Sequence, residues 1–230
     1  MSDTQKLNIY NLKFEDFCLL VNPIYLGCKQ TEKAFYDVQA LLKRRKWLQL
    51  VGCRYSWYFI EGLVELKRKK EFVVEIINEI EVLEESTVYT THTKTQTSFK
   101  HEPLKGLWHK HFHLGNLKNM KIMYLDPLIR DKKWKQITQE CRALEKKKGD
   151  SDLSLVWSVL KKHTFDDYEL RVESGQLTGE WIVYHEFLGE KYYLGLWSHD
   201  DLDENIAAKI KNIFKSEFTE FNGSLPIFND

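Results

Sequence analysis

Residues 180–199 read EWIVYHEFLGEKYYLGLWSH, and their pattern indicates the class of the fold. Residues 180–187 and 192–199 are two short runs rich in aromatic and aliphatic side chains with a glycine-containing break between them, which is typical of β-strands. The Gly189-Glu190 pair between them predicts a tight turn, so the two segments are expected to form an antiparallel hairpin.

The segments on either side extend this hairpin into a larger unit. A predicted strand over residues 168–173 precedes it, and a predicted helix from about Asp201 to Phe218 follows it. Three consecutive strands with short turns predict an antiparallel meander, one face of which is covered by helices. The sequence therefore predicts an α+β fold with the meander in its C-terminal third.

The register of the hairpin decides which of its polar residues share a face. A turn at Gly189-Glu190 places His185 opposite Leu194, on the core side of the sheet. It also places Glu180 opposite His199 on the other face, as an acid–base couple or an ordinary cross-strand hydrogen bond. A slip of one residue would exchange the faces of His185 and His199.

The N-terminal part mixes helical and extended patterns. A helix is expected to begin near Thr31, because the apolar residues that follow recur at helical spacing. Aromatic residues alternate at the start of residues 54–66, which predicts a strand. Residues 71–85 fit either a helix or the beginning of a strand.

The chain is electrically neutral as a whole but not along its length. Residues 164–230 carry five Lys and Arg against 14 Asp and Glu, a net charge of −9, so the remainder carries +9. No linker interrupts the chain, which favours a single α+β domain over residues 1–230. Two closely packed lobes are the alternative: a basic, histidine-rich lobe 1–150, and a lobe 151–230 with a helix, the meander and a final helix.

Five of the eight histidines lie within 22 residues, most densely in Gly106-Leu-Trp-His-Lys-His-Phe-His-Leu-Gly115. If this run is extended, His109, His111 and His113 share one face at intervals of about 7 Å. Two such imidazoles could act as general base and general acid near neutral pH, and Lys110 could stabilise negative charge in the transition state. The same spacing would let two of them reach one Zn²⁺, or simply form a solvated strand edge.

Basic side chains are concentrated in two runs that are predicted to be helical. They suit contact with a polyanion, although solvated helix faces have the same pattern. The candidate nucleic-acid-binding residues are Lys43, Arg44, Arg45, Lys46, Lys132, Lys133 and Lys135.

Several classes of protein are disfavoured. The chain lacks the G-x-S-x-G, G-x-x-x-x-G-K-[ST] and G-x-G-x-x-G motifs of α/β-hydrolases, phosphate-loop proteins and dinucleotide-binding folds. No apolar run approaches the roughly 18–20 residues of a membrane helix, so no membrane partner is expected. The four scattered cysteines are typical of reduced thiols and, with no signal-like start, predict a cytoplasmic protein.

In its layout of helices, an antiparallel meander and scattered histidines, the chain resembles small metal-independent ribonucleases of the bacterial toxin type. That resemblance and the histidine run together predict an RNA-directed hydrolase, endoribonuclease-like, that needs no cofactor. Its catalytic candidates are His109, His111, His113, Lys110, Glu180 and His199.

Two other functions fit the same sequence. A non-catalytic protein-binding or inhibitor module would use the acidic C-terminal third to engage a basic partner. A Zn²⁺-dependent hydrolase would use the histidine run as metal ligands. Removal of the histidines, charge reversal at Asp200, Asp201 and Asp203, and elemental analysis distinguish the three.

Overall fold

The computed structural model describes residues 7–86, 93–112, 134–148 and 180–221. The chain divides into two compact units, Met1–Leu114 with Gly179–Asp230, and Gly115–Thr178. All the strands described below and the histidines discussed here belong to the first unit.

The first unit begins with a run of helices, continues into a sheet and closes with a helix. The helices are α1 (Phe14–Val21), α2 (Lys29–Arg44), α3 (Trp47–Leu50), α4 (Trp57–Arg68) and α5 (Val73–Leu83). The strands are β1 (Thr97–Ser98), β2 (Trp108–Phe112), β3 (Glu180–Phe187) and β4 (Glu190–Trp197). In the second unit, the described residues form helix α6 (Trp134–Lys148), and helix α7 (Asp203–Ser216) follows β4 in the first unit.

The four strands pair in the order β1-β2-β3-β4, and every pair is antiparallel. The α+β class is confirmed, with the β3–β4 hairpin in the C-terminal third and helices against the sheet. The strand predicted at 168–173 lies outside the described residues. Within the described ranges, the neighbour of β3 is instead β2, which follows the N-terminal helices.

The sheet has an apolar core on each face. One face contributes Ile182, Tyr184 and Tyr193 to a core shared with α1, α2, α4 and α5. The other face contributes Val183 and Leu194 to a core shared with α7. Residues next to one another along β3 therefore enter different cores, as the period of two in a strand requires.

The strand predicted over residues 54–66 is wrong, because most of this segment is helix α4. Ser56 starts the helix: its hydroxyl oxygen accepts a hydrogen bond from the Phe59 amide at 2.9 Å. The same hydroxyl donates to the Leu194 carbonyl at 2.6 Å. Trp57, Ile60 and Val64 recur at helical spacing and are buried, and this longer pattern outweighs the short aromatic alternation. Of the two alternatives for residues 71–85, the helix is the one that forms, as α5.

The predicted turn at Gly189-Glu190 is also wrong. Phe187 pairs with Glu190, so the turn is Leu188-Gly189, and both residues have positive φ, 52° and 81°. That conformation gives a two-residue turn whose twist matches the strands. Further along, the register shifts between Val183 and Tyr184, which leaves Leu194 as an extra residue on β4.

The bulge at Leu194 changes the faces of the residues after it. Leu196 packs in the core with the N-terminal helices, whereas Trp197 pairs with Trp181 and packs in the core with α7. The simple alternation predicts the opposite for both. His185 is buried as predicted, with 6% of its surface exposed.

The four cysteines are free thiols, of which Cys18 is buried and Cys53 exposed. Among the described residues, no helix has both the length and the apolar character needed to cross a membrane.

Candidate histidine site

Two histidines are placed by the alternation of β2. His109 lies opposite Val183 and His111 opposite Trp181, so both lie on the sheet face that carries α7. Phe112, the next residue along from His111, is buried in the core on the other face. The sequence predicts this separation, because neighbours in a strand point to opposite sides.

His199, which follows β4, joins these two histidines. Its ring centroid lies 5.3 Å from that of His111, with the two rings nearly parallel at 20°. The His109 and His111 centroids are 5.4 Å apart. Trp181 packs against the group, 4.2 Å from His199 and 5.4 Å from His109 between centroids. We call His109, His111, His199 and Trp181 the histidine site.

The three histidines differ in exposure: His109 and His111 are half-buried, and His199 is exposed. Burial, and then the neighbouring imidazoles of His111 and His199, lower the pKa of His109 to about 4. Its imidazole is therefore neutral at pH 7. The His109 Nδ1 has no hydrogen-bond partner among the described residues, and the Phe99 ring packs 4.5 Å from the imidazole.

Lys110 does not join the histidines, because it points to the opposite face. There its ammonium lies 3.1 Å from the Glu79 carboxylate and donates to the Lys94 carbonyl at 2.6 Å and to Thr93. Lys110 and Glu79 are 2% and 5% exposed. Burial lowers the pKa of Lys110, although the adjacent carboxylate opposes this. The pair joins β2 to α5.

The prediction that Glu180 lies opposite His199 is wrong. Trp181 pairs with Trp197, and this register carried one residue further places Glu180 opposite Ser198. The Glu180 side chain lines a cleft with Phe112 and Ser198, whereas His199 packs on Trp181 on the other face. Burial raises the pKa of Glu180, and a hydrogen bond from Ser198 opposes the rise.

Of the predicted nucleic-acid-binding residues, those at the end of α2 do not share a surface with the histidines. Lys43, Arg44 and Lys46 are exposed at the end of α2, in the helical layer on the other side of the sheet. Arg45 is half-buried and forms an ion pair with Glu81 at 2.9 Å. Lys135 is exposed on α6 in the second unit, and Lys132, Lys133 and His113 lie outside the described residues.

Metal binding requires several donors directed at one point. Within the described ranges, no group of three His, Cys, Asp or Glu side chains has such an arrangement. The rings of His111 and His199 instead lie nearly parallel, which is a stacking geometry.

His185 belongs to a different environment from the histidine site. Its ring contacts Phe187, Phe214 and Phe221 at centroid distances of 6.2, 5.8 and 5.0 Å. Neither ring nitrogen has a hydrogen-bond partner in the part of the chain that the structure describes. Burial lowers the pKa of His185 to about 4, so it is a neutral core residue at pH 7.

The meeting of His199 with His109 and His111 is the feature that local sequence patterns miss. The three residues are brought together by the pairing of β2 with β3 and by the bulge in β4. Neither has a sequence signal of its own here: β2 is distant from β3 along the chain, and the bulged residue is a leucine. Trp181 pairs with His111 on β2 and with Trp197 on β4, so its place in the site is likewise identifiable only from the register.

Comparison with known proteins gives no family for this chain. It matches no protein-family model, and no curated protein or solved structure is significantly similar to it.

Proposed function

We propose that the protein is an RNA-cleaving enzyme in which the histidine site supplies the acid and base groups. The observation that carries the proposal is the grouping of three imidazoles, with centroid separations of 5.4 and 5.3 Å, on one accessible part of the sheet. Imidazole is the side chain best suited to exchange protons near neutral pH, and a pair of them can serve as base and acid in one reaction.

The proposed reaction uses the 2′-hydroxyl of the RNA itself. One imidazole removes the 2′-hydroxyl proton while the 2′-oxygen forms a bond to the adjacent phosphorus. The bond from phosphorus to the 5′-oxygen breaks, and a second, protonated imidazole donates its proton to that oxygen. The products are a 2′,3′-cyclic phosphate and a free 5′-hydroxyl, so protons and electrons balance without a further reactant.

The electrostatics suggest which histidine is the base. His109 is neutral at pH 7 because its pKa is lowered to about 4, so its resting form accepts a proton. An anionic phosphodiester bound beside it would favour the charged imidazole and strengthen it as a base. The acid is then assigned to His111 or His199, whose protonated forms the same phosphate would stabilise.

Trp181 gives the site a surface for a nucleobase. Its indole packs against His199 and lies next to Phe99, 5.5 Å between centroids in an edge-on contact. Bases of single-stranded RNA stack on aromatic side chains without strong sequence preference. The substrate proposed is therefore single-stranded RNA, positioned by stacking at Trp181 and by its phosphate at the imidazoles.

The test is cleavage of an end-labelled single-stranded RNA at pH 7, with product ends analysed for the 2′,3′-cyclic phosphate. His109→Ala, and one of His111→Ala and His199→Ala (whichever removes the acid), are expected to lower the rate by about 10²-fold or more. His101→Ala, which removes an exposed histidine outside the site, is the matched control. The proposal would be overturned by a folded His109→Ala that cleaves at the wild-type rate, by wild-type rates in both His111→Ala and His199→Ala, by cleavage of 2′-O-methyl RNA, or by no cleavage by the wild-type protein.

A protein-binding role is the second candidate, and a different surface favours it. Asp200, Asp201, Asp203 and Glu204 are all exposed where α7 begins. A basic partner would be held there by charge, so binding should weaken with salt and on reversal of the three aspartates. Substitution of His109 would leave the affinity of such a module for its partner unchanged, whereas it would lower the cleavage rate of the enzyme.

A further inference from the structure

A cleft lies at the same end of the sheet as the histidine site. The cleft encloses about 420 Å³ between α4 and the ends of β2, β3 and β4. This volume lies within the roughly 300–1,000 Å³ of small-molecule sites. We call it the acidic cleft, and its lining includes Tyr25, Tyr58, Glu61, Phe112, Glu180 and Trp197.

At the ends of β2 and β3, the acidic cleft and the histidine site use opposite faces of the sheet. Phe112 and Glu180 line the cleft, and each is adjacent in its strand to a residue of the histidine site, His111 and Trp181. Because neighbours in a strand point to opposite faces, the same strand ends supply both sites. The cleft is therefore a separate feature that the proposed RNA chemistry does not use.

Carboxylates dominate the charge of the cleft. Its lining contains three glutamates against one lysine, Lys69. One of them, Glu65, is already paired with Arg68 at 2.6 Å, on the outside of α4. Burial raises the pKa of both Glu61 and Glu180, which means that their ionised forms have lost hydration. A cation bound in the cleft would restore that lost stabilisation.

Aromatic rings form the other walls. The ring centroids of Tyr58 and Trp197 lie 5.5 Å apart and their planes are tilted by 43°. The two rings therefore meet at an angle and form an aromatic corner. The Tyr25 hydroxyl donates a hydrogen bond to the Glu61 carboxylate at 3.1 Å and so orients this carboxylate. Aromatic faces combined with carboxylates are the chemistry that recognises organic ammonium groups.

The protein already places an ammonium group at this corner. The Lys209 Nζ from α7 lies 4.2 Å from the centroid of the Tyr58 ring, and its charge acts on Glu61. The corner thus accommodates an alkylammonium on an aromatic face beside a carboxylate. The remaining volume, bounded by Phe112 and Glu180, is open to a second one.

We propose that the acidic cleft binds a linear alkylammonium ligand, with its ammonium group between Glu61 and Glu180 and its alkyl chain against Phe112 and Trp197. This chemistry is shared by free aliphatic diamines and by lysine side chains of a peptide. Carbohydrates also bind to carboxylates and aromatic rings. The Lys209 ammonium on the Tyr58 ring favours an alkylammonium over a carbohydrate, because it shows that the corner accepts a cation.

The test is calorimetric titration of the full chain at low salt with cadaverine as the diamine and Nα-acetyl-lysine amide as the peptide analogue. Uncharged 1-pentanol is the matched ligand control. Glu61→Gln and Glu180→Gln are each expected to weaken cadaverine binding by about tenfold or more, since each removes a charge-assisted contact. Glu186→Gln, an exposed substitution outside the cleft, should leave cadaverine binding unchanged. Lys209→Met should tighten binding, because the competing ammonium is gone.

Each outcome has a defined meaning. Tighter binding of cadaverine than of the lysine analogue assigns the cleft to free amines, and the reverse assigns it to a peptide side chain. Equal binding of cadaverine and pentanol, or no binding of either amine at 10 mM, would overturn the proposal (a concentration that corresponds to about −2.7 kcal/mol). If a Gln variant fails to fold, the ligand comparison and Lys209→Met still decide. His109→Ala should leave amine binding unchanged, so loss of RNA cleavage and loss of amine binding are distinguishable.

Discussion

Replacement of His185 by leucine tests whether a buried imidazole limits the stability of the fold. The His185 ring is 6% exposed, packs among phenylalanines, and has no hydrogen-bond partner for either nitrogen within the described residues. Leucine has a similar volume and no polar atom. At pH 7.5 the substitution should raise the free energy of unfolding by about 1 kcal/mol or more, because unsatisfied buried polar groups cost about 1–3 kcal/mol.

The larger effect of His185 is expected in acid. Its pKa falls from the ordinary 6.5 to about 4 in the folded chain, so the unfolded chain binds the proton first. Stability is therefore complete above pH 6.5 and is lost as the pH falls from 6.5 toward 4. For this one residue the loss is about 2 kcal/mol at pH 5 and about 3.4 kcal/mol once both states are protonated.

The assay is urea unfolding at pH 7.5, 6.0 and 5.0, monitored by tryptophan fluorescence. The wild-type protein should lose more stability between pH 7.5 and 5 than His185→Leu does, by about 2 kcal/mol. The variant keeps part of the acid sensitivity, because the pKa of His109 is also about 4. His101→Leu, at an exposed position, is the matched control and should follow the wild type. A variant that is less stable at pH 7.5 and has the wild-type pH dependence would refute the reasoning.

Three further substitutions test how the sheet is joined to its two layers, each by urea unfolding at pH 7.5. Ser56→Ala should cost about 2–3 kcal/mol, since it removes both the cap of α4 and a buried bond to the bulge in β4; a cost near zero would contradict this. Gly195→Ala should be strongly destabilising or force local rearrangement, because a Cβ there would lie 2.6 Å from the Trp197 ring; a neutral effect would mean that the aromatic corner is not as described. Glu79→Gln should lower the free energy of unfolding by about 3–5 kcal/mol, because it leaves the ammonium of Lys110 buried beside a neutral amide. Adding Lys110→Met should recover part of this loss. Additive losses in the double variant would show that the two groups are not coupled.

The class of the fold could be predicted from the sequence because β3 and β4 are eight-residue runs rich in aromatic and aliphatic side chains on either side of a glycine-containing turn, which is a strong local signal. The helix α4 could not, because Tyr55, Trp57 and Phe59 alternate across its start and imitate a strand. What decides for the helix is the Ser56 cap together with the long-range contact of that hydroxyl with β4. Tertiary context of this kind outweighs a short local pattern.

The candidate site was predictable only in part for the same reason. The common face of His109 and His111 follows from strand geometry alone. The separation of Glu180 from His199 depends on a turn one residue earlier than expected and on the extra residue Leu194, since each changes the pairing of everything beyond it. The bulged residue is hydrogen-bonded to Ser56 at the start of α4, a long-range contact that no pattern within the hairpin encodes.

The most direct measurement for the histidine site is a pH titration of its imidazoles by NMR, with the His109 signal assigned by its loss in His109→Gln. The account expects His109 to titrate near pH 4. Its pKa should rise, while staying below the ordinary 6.5, in the double variant His111→Gln/His199→Gln, because burial remains after the neighbouring charges are removed. It should also rise when uridine 3′-phosphate is added to the wild-type protein. A His109 that titrates near 6.5 and responds neither to the double variant nor to the nucleotide would contradict a single coupled acid–base site.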